Sequence, residues 1–222
     1  MTMNLAPSDD TFINSGNPDN NNGASMWMFA GVDGHSGVMR GLIRFAMPAA
    51  LQGHATVVSA KLTLTLIAFG NGTIGPDHLT VSLNAVTEPW VQGNGVGDTA
   101  MTFTVGQMCG DTVSGATWNQ PSCAAGTTAT WTTAGGTVAA APSGQVDTTG
   151  IAAGEAVVWD SAAAGNGGMV ADVQSWIDTP TGNDGWRFTS SDETTAAAGK
   201  RFATTEYGGT AVPMLTIVYS PR

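Results

Sequence analysis

The clearest pattern along the chain is a strict alternation: in 57–67 (VVSAKLTLTLI), Leu62, Leu64 and Leu66 are interleaved with Lys61, Thr63 and Thr65. A period of two puts the leucines on one side of an extended chain and the polar residues on the other, as in a half-buried antiparallel strand. Segment 79–86 (LTVSLNAV) repeats the alternation after a Gly-Asn-Gly and Pro-Asp turn region, and the two strands are expected to be neighbours. In 38–47 (VMRGLIRFAM) the same period places Met39, Ile43, Phe45 and Met47 on one face and Val38, Arg40, Leu42 and Arg44 on the other. One face is core; the other carries two arginines that need partners.

Shorter extended runs are expected at 11–14, 26–29 and 101–105, and later at 185–190, 201–205 and 214–219. Between 90 and 135 Gly, Thr, Asn and Ser dominate, with Trp90, Trp118 and Trp131 embedded, a stretch too long for a plain loop. Residues 168–177 (GMVADVQSWI) have helical spacing: Met169 or Val170, Val173, and Trp176 or Ile177 share a face, and Pro180 ends a helix of one or two turns. No repeat or interdomain linker is evident. The reading is a single all-β domain over 1–222, an antiparallel, jelly-roll-like β-sandwich with one short helix and an ordered core of about 8–220.

Composition agrees: 30 glycines and only 11% charged residues favour short strands and tight turns over helical bundles. A formal net charge of -10 with no Lys/Arg cluster removes the electrostatic basis for binding nucleic acid or anionic lipid. No run of about 18 apolar residues predicts membrane insertion, and MTMNLAPSDD lacks the basic and apolar regions of a signal peptide. The expectation is a soluble chain in mature or trimmed form. Cys109 and Cys123 bracket a polar segment without zinc-ligand spacing, which reads as a local disulfide in an oxidising compartment; two free thiols are the alternative.

His35, His54 and His78 stand in Gly- or Pro-containing turns with no nucleophile signature beside them, and read as surface residues. Adjacent carboxylates such as Asp9-Asp10 and Asp192-Glu193 point to opposite faces of a strand, so they cannot flank one glycosidic bond. The loop 17–23 (NPDNNNG) offers hard oxygens from Asp19, Asn20 and Asn22 that suit calcium, though without EF-hand spacing. A loop held by its own Asx hydrogen bonds is the alternative.

Read in order, ten landmarks resemble the DNRLRE domain family, secreted β-sandwich modules related to the disaggregatase repeat and to an alginate-binding carbohydrate-binding family. They are 10–13 (DTFI), the 18–23 loop, 40–45 (RGLIRF), 59–64 (SAKLTL), Trp90, 117–119 (TWN), Val173 with Trp176, 183–186 (NDGW), Thr205-Glu206 and 213–219. The chain departs from the family where an acidic residue commonly follows the Arg-Phe pair, since Ala46 stands there, and in the segment between the cysteines. The resemblance implies that Arg44, and with it Arg40, ties the scaffold together, with Asp10 or Glu206 as partner. The alternative is that both arginines line a groove for an acidic sugar.

The resemblance also places Trp90, Trp118 and Trp176 at structural landmarks. That leaves Trp27, Trp131 and Trp159 as candidates for an exposed platform that stacks on sugar rings. The functional expectation is a non-catalytic, secreted or cell-surface polysaccharide-binding module, with calcium as the one cofactor considered. The negative charge prefers a neutral glycan. A structural or adhesive subunit of an extracellular assembly, with self-association, is the rival. A polysaccharide lyase built on Tyr207 or His78 with Arg40 is third.

Overall fold

The computed structural model describes residues 1–32, 37–69, 75–96 and 106–222. In chain order the strands are β1 (Thr2–Leu5), β2 (Asp9–Asn14), β3 (Asn20–Asn21), β4 (Trp27–Val32), β5 (Val38–Arg44), β6 (Ala55–Thr65), β7 (Thr80–Ala85), β8 (Gln107–Met108), β9 (Gly144–Asp147), β10 (Ala156–Asp160), β11 (Trp186–Ser190), β12 (Gly199–Ala203) and β13 (Met214–Pro221). The helix α1 (Gly168–Asp178) joins β10 to β11, and a short 3-10 turn, Thr205–Tyr207, follows β12. The strand expected at 101–105 and His35 lie outside the described residues.

Two antiparallel sheets pack face to face, as expected for an all-β sandwich. The smaller runs β1-β13-β6-β10; the larger runs β12-β4-β5-β11-β7-β9, with β2 paired along β5. The alternation in β6 does what its period requires: Leu62 and Leu64 are buried between the sheets, while Lys61 is exposed and Thr63 and Thr65 lie partly open outside. Each buried leucine stabilises the fold by roughly 1.5–3 kcal/mol relative to an exposed one.

The expected pairing of β6 with β7 is not found. β6 pairs with β13 and β10, and β7 with β11 and β9. Alternation shows only that each strand has one buried face, and both sheets of a sandwich have one. The connection between the two strands is long enough to cross from one sheet to the other. The ordered chain also begins before residue 8, since β1 forms an edge of the smaller sheet.

The helix covers the predicted residues but runs 11 residues, about three turns. It buries Met169, Val173, Trp176 and Ile177. Trp176 meets Trp186 of β11 with ring centroids 4.6 Å apart, and the Trp186 indole donates to Asp172 at 2.7 Å. Gln174 accepts from the Val57 backbone at 2.8 Å and donates to the Ala55 carbonyl at 3.2 Å, fastening the helix to β6.

Within the aliphatic core Phe12 meets Phe29 edge-on, and Trp159, Phe188 and Phe202 contact one another edge-on or tilted. Gly41 is required in β5, because a Cβ there would sit 2.8 Å from the Phe188 ring. A second apolar cluster lies on the other face of the larger sheet. There Ile13 and Leu42 are covered by Trp90, Ala116 and Trp131 from the 90–135 excursion. The described residues of the excursion thus include a third layer over the outer face of β2 and β5, and a disulfide between Cys109 and Cys123 closes a loop within it.

Candidate functional site

The tryptophans chosen for an exposed platform are buried. Trp159 is 0% exposed, and its indole donates to the Val81 carbonyl at 2.9 Å. Trp131 is 4% exposed and donates to the Thr117 carbonyl at 2.9 Å, inside the covering layer. Trp27 is 8% exposed, with the Arg201 guanidinium over its ring at 4.2 Å and Tyr207 packed against it at 5.3 Å. Each fills a large apolar volume and finds a partner there, so none of the three presents a free face. Of the seven tryptophans, all among the described residues, only Trp118, at one of the structural landmarks, is partly exposed. Arg40 stacks over it at 4.8 Å.

Both arginines of β5 are ties, but to partners other than Asp10 and Glu206. Arg40 grips both carboxylate oxygens of Glu193 at 3.0 and 2.7 Å and donates to the Gly135 carbonyl at 3.1 Å. Arg187 of the neighbouring β11 donates to the same Gly135 carbonyl at 3.0 Å and to that of Gly136. Together they pin the covering layer to the sheet. Arg44 donates to Asp9 and, at 3.2 Å, to the Trp90 carbonyl, with its guanidinium 5.1 Å from the Trp90 ring.

Asp19, Asn20 and Asn22, the trio expected to suit calcium, take part in hydrogen bonds that tie the loop together, while the buried Oδ1 of Asn22 meets no donor. Asp19, the trio's only carboxylate, accepts from the Asn119 amide at 2.8 Å; Asn20 reaches toward the Gly106 carbonyl at 3.4 Å; Asn22 donates to the Phe12 carbonyl at 3.0 Å. Asn21, between them, stitches the loop to the covering layer by donating to the Gln92 and Ala116 carbonyls, each at 2.8 Å. Side-chain amides bonding backbone carbonyls thus help to organise the loop. Among the described residues no group of three or more His, Cys, Asp or Glu could hold a metal ion.

The residues proposed for lyase chemistry are engaged separately: Tyr207 with Trp27, Arg40 with Glu193, and His78 exposed in a turn. Hydrogen bonding from the Thr195 side chain, and then from the backbone of Thr194 and Thr195, draws the Asp192 carboxyl below the usual range.

What the arrangement does form is an open groove of about 400 Å³ where β5 ends. The β5 side contributes Arg44, Ala46 and Met47; the facing side is Pro180, Thr181, Asn183 and Asp184; Ser8, Gln52 and Pro89 complete the lining. Several of these side chains are preset by backbone. Asn183 donates to the Phe45 carbonyl and Gln52 to the Met47 carbonyl, each at 2.7 Å, and the Trp90 indole holds the Asp184 carbonyl at 2.7 Å. Partial burial pushes the Asp184 carboxyl up, a shift partly offset by Arg44. The groove thus offers the held amides of Asn183 and Gln52, together with the Asp184 carboxyl and the exposed Thr181, between the apolar surfaces of Met47 and two prolines. Sequence reasoning reached Arg44 but not Asn183 or Asp184 as site residues. The signal available was the NDGW landmark, two polar residues before a turn glycine.

Compared with family models and with curated proteins, the chain matches none.

Proposed function

We propose that the protein is a non-catalytic polysaccharide-binding module of the extracellular space, and that the groove at the end of β5 is its glycan site. The observation that carries the reading is the lining itself, in which the held amides of Asn183 and Gln52 and the Asp184 carboxyl stand beside the apolar surfaces of Met47, Pro89 and Pro180. Sugars present that same mixture of hydroxyls and C–H faces. The resemblance to DNRLRE domains supports the same reading, and the Cys109–Cys123 disulfide is compatible with an oxidising, extracellular location.

Cleavage is disfavoured because glycosidic hydrolysis uses two carboxyl groups on either side of the bond, whereas the groove lining supplies one, Asp184. A neutral glycan is preferred to a polyuronate. Arg44, the cation of the groove, is already neutralised by Asp9, and the chain carries a net charge of -10.

Affinity electrophoresis against neutral and acidic glycans, with and without EDTA, tests the reading. Retardation by a neutral glycan that survives high salt and EDTA, and that weakens about tenfold in Asp184→Asn, is expected. Binding that collapses with salt would reassign the ligand to an acidic glycan. Loss of binding in EDTA would make calcium part of the site. Release of reducing ends or unsaturated uronates would overturn the binding-module reading.

The rival, a self-associating subunit of a surface assembly, draws on the outward side of the smaller sheet, where Val58 on β6 and Met214 on β13 are exposed. Sedimentation over a range of concentrations distinguishes it.

A further inference from the structure

Away from the groove, β2 carries a carboxyl group that the proposed function does not use. Asp10 is 1% exposed. Its Oδ2 accepts from the Thr205 backbone at 2.9 Å and from the Thr205 hydroxyl, while its equally buried Oδ1 meets no donor. An ionised carboxylate in that position wants a cation, but among the described residues the nearby arginines are engaged elsewhere. On β5, Arg44 is held by Asp9; on β12, Arg201 lies over the rings of Trp27 and Phe69. Tyr207, in the 205–207 turn, packs on Trp27.

The charged side chain that acts on Asp10 is instead another carboxylate, Glu206, one residue beyond Thr205. A single amide holds the two together. Gln92 accepts from the Asp10 backbone N–H at 2.8 Å, and donates to Glu206 Oε1 at 2.8 Å and to the Gly23 carbonyl at 2.6 Å. Asp10 is buried and Glu206 exposed beside it; the charge of the second adds to the cost of ionising the first. A proton on Asp10 Oδ1 removes the repulsion and turns the unpartnered acceptor into a donor toward Glu206.

We propose that Asp10 and Glu206 share one proton in a carboxyl–carboxylate hydrogen bond, and that this clasp fastens the Thr205–Tyr207 turn to β2 and loosens when the proton is lost. Burial, reinforced by the charge of Glu206 and opposed by the Thr205 hydrogen bonds, pushes the Asp10 carboxyl up from 3.8 to about 7. The folded chain therefore holds a proton that the unfolded chain releases at lower pH. The clasp's stabilisation is full below about pH 4 and is lost as pH rises through about 7. Because Tyr207 packs on Trp27, a loosened turn also changes the surroundings of that indole.

Urea unfolding of the full chain between about pH 5 and pH 8, with hydrogen exchange at 204–209 and tryptophan emission, tests the clasp. The expected result is a urea midpoint that falls toward neutral pH, with exchange at 204–209 quickening over the same range. Asp10→Asn keeps a donor at every pH, so its midpoint should be flat and, at pH 8, above that of the unmodified chain. An infrared carbonyl band of a protonated carboxyl at pH 6, absent in Asp10→Asn, is the direct signature. Should Asp10→Asn fail to fold, Glu206→Gln carries the test, since it removes the repelling charge and should make the slope shallower, the burial of Asp10 keeping part of it. A midpoint independent of pH, or variants that keep the parent slope, would overturn the proposal. So would restoration of the pH 8 midpoint by millimolar Ca²⁺ in the parent but not in Asp10→Asn, which would make the pair a cation site.

Discussion

Arg44 and Asp9 are direct cross-strand partners on β5 and β2, with Nε and Nη2 of the arginine on Oδ2 of the aspartate at 3.0 and 2.8 Å. Both side chains are about a quarter exposed, so the pair is neither a surface bridge nor a buried one. A fully buried pair broken at one end costs about 3–5 kcal/mol, and an exposed pair about 0–1. Arg44→Ala is therefore expected to cost about 1–2 kcal/mol in urea unfolding, between those limits. A double-mutant cycle with Asp9→Asn should return a coupling near 1 kcal/mol or a little above. The same cycle with Asp10→Asn should return about zero.

That contrast also explains what the residue pattern left unresolved. Asp9 and Asp10 are adjacent in one strand, so their side chains leave opposite faces, and choosing between them requires the β2–β5 register. Alternation in 38–47 correctly separated Met39, Ile43, Phe45 and Met47 from the arginine face. It did not reveal that Leu42, beside those arginines, is itself buried under Trp90 and Trp131. A covering layer made of Gly, Thr and Asn has no period to announce it. Trp159 was misplaced for a different reason: Val157 and Trp159 in AVVWD already alternate as a strand, and reading that period would have placed the indole in the core. The groove could not be read at all, because it joins residues near 8, 44, 52, 89 and 180–184 that only the fold brings together.

Arg40 and Glu193 test the attachment of the covering layer. Their side chains are 17% and 18% exposed, and Arg40 also stacks on Trp118. Arg40→Ala is expected to lose about 1–3 kcal/mol, and to shift Trp118 emission toward that of a solvated indole before the global transition. Arg40→Lys should recover little of this, because an ammonium cannot span both Glu193 oxygens and the Gly135 carbonyl in one plane.

Two glycines close in sequence should behave differently. Gly185 immediately precedes β11 at φ 72°, and a Cβ there would sit 2.0 Å from the Ile43 carbonyl, a backbone atom that cannot step aside. Gly182 has nothing within 4 Å of the same position. Gly185→Ala is expected to cost about 2–4 kcal/mol, combining left-handed strain with a clash. Gly182→Ala should stay within about 0.5 kcal/mol of the parent. Because Gly185 adjoins Asp184, the first substitution should also weaken glycan binding, and thermal melts run beside affinity gels check both effects.

The cysteine pair gives a local rather than global prediction. Cys123 is buried and exchanges two backbone hydrogen bonds with Gly115, at 3.0 and 2.8 Å, while Cys109 donates its N–H to the Asp19 carbonyl. Opening a loop of this size releases chain entropy worth about 3 kcal/mol. The Cys109→Ser/Cys123→Ser double variant is expected to lose protection first between 107 and 131, with the two-sheet core exchanging later. Hydrogen exchange resolved by segment reads this directly, and uniform loss across β6 and β13 would contradict it.

The tryptophans separate scaffold from site. Trp159 packs against Phe188 and Phe202 with ring centroids 5.6 and 6.0 Å away, and Trp131 seals the covering layer. Removing either ring empties a large volume and leaves a carbonyl, Val81 or Thr117, without its donor. Trp159→Ala is expected to cost about 3–5 kcal/mol, and Trp131→Ala somewhat less, since its layer can settle inward. Neither ring reaches the groove, so a folded Trp131→Phe variant should bind glycan as the parent does, whereas Asp184→Asn should bind more weakly with unchanged or slightly raised stability. The stability gain follows from Asp184 itself: burial raises its carboxyl, so an ionised Asp184 opposes folding above that range, and an amide does not. Melting curves and affinity gels on the same three variants decide the matter. Binding lost in Trp131→Phe and kept in Asp184→Asn would move the glycan site from the groove to the covering layer.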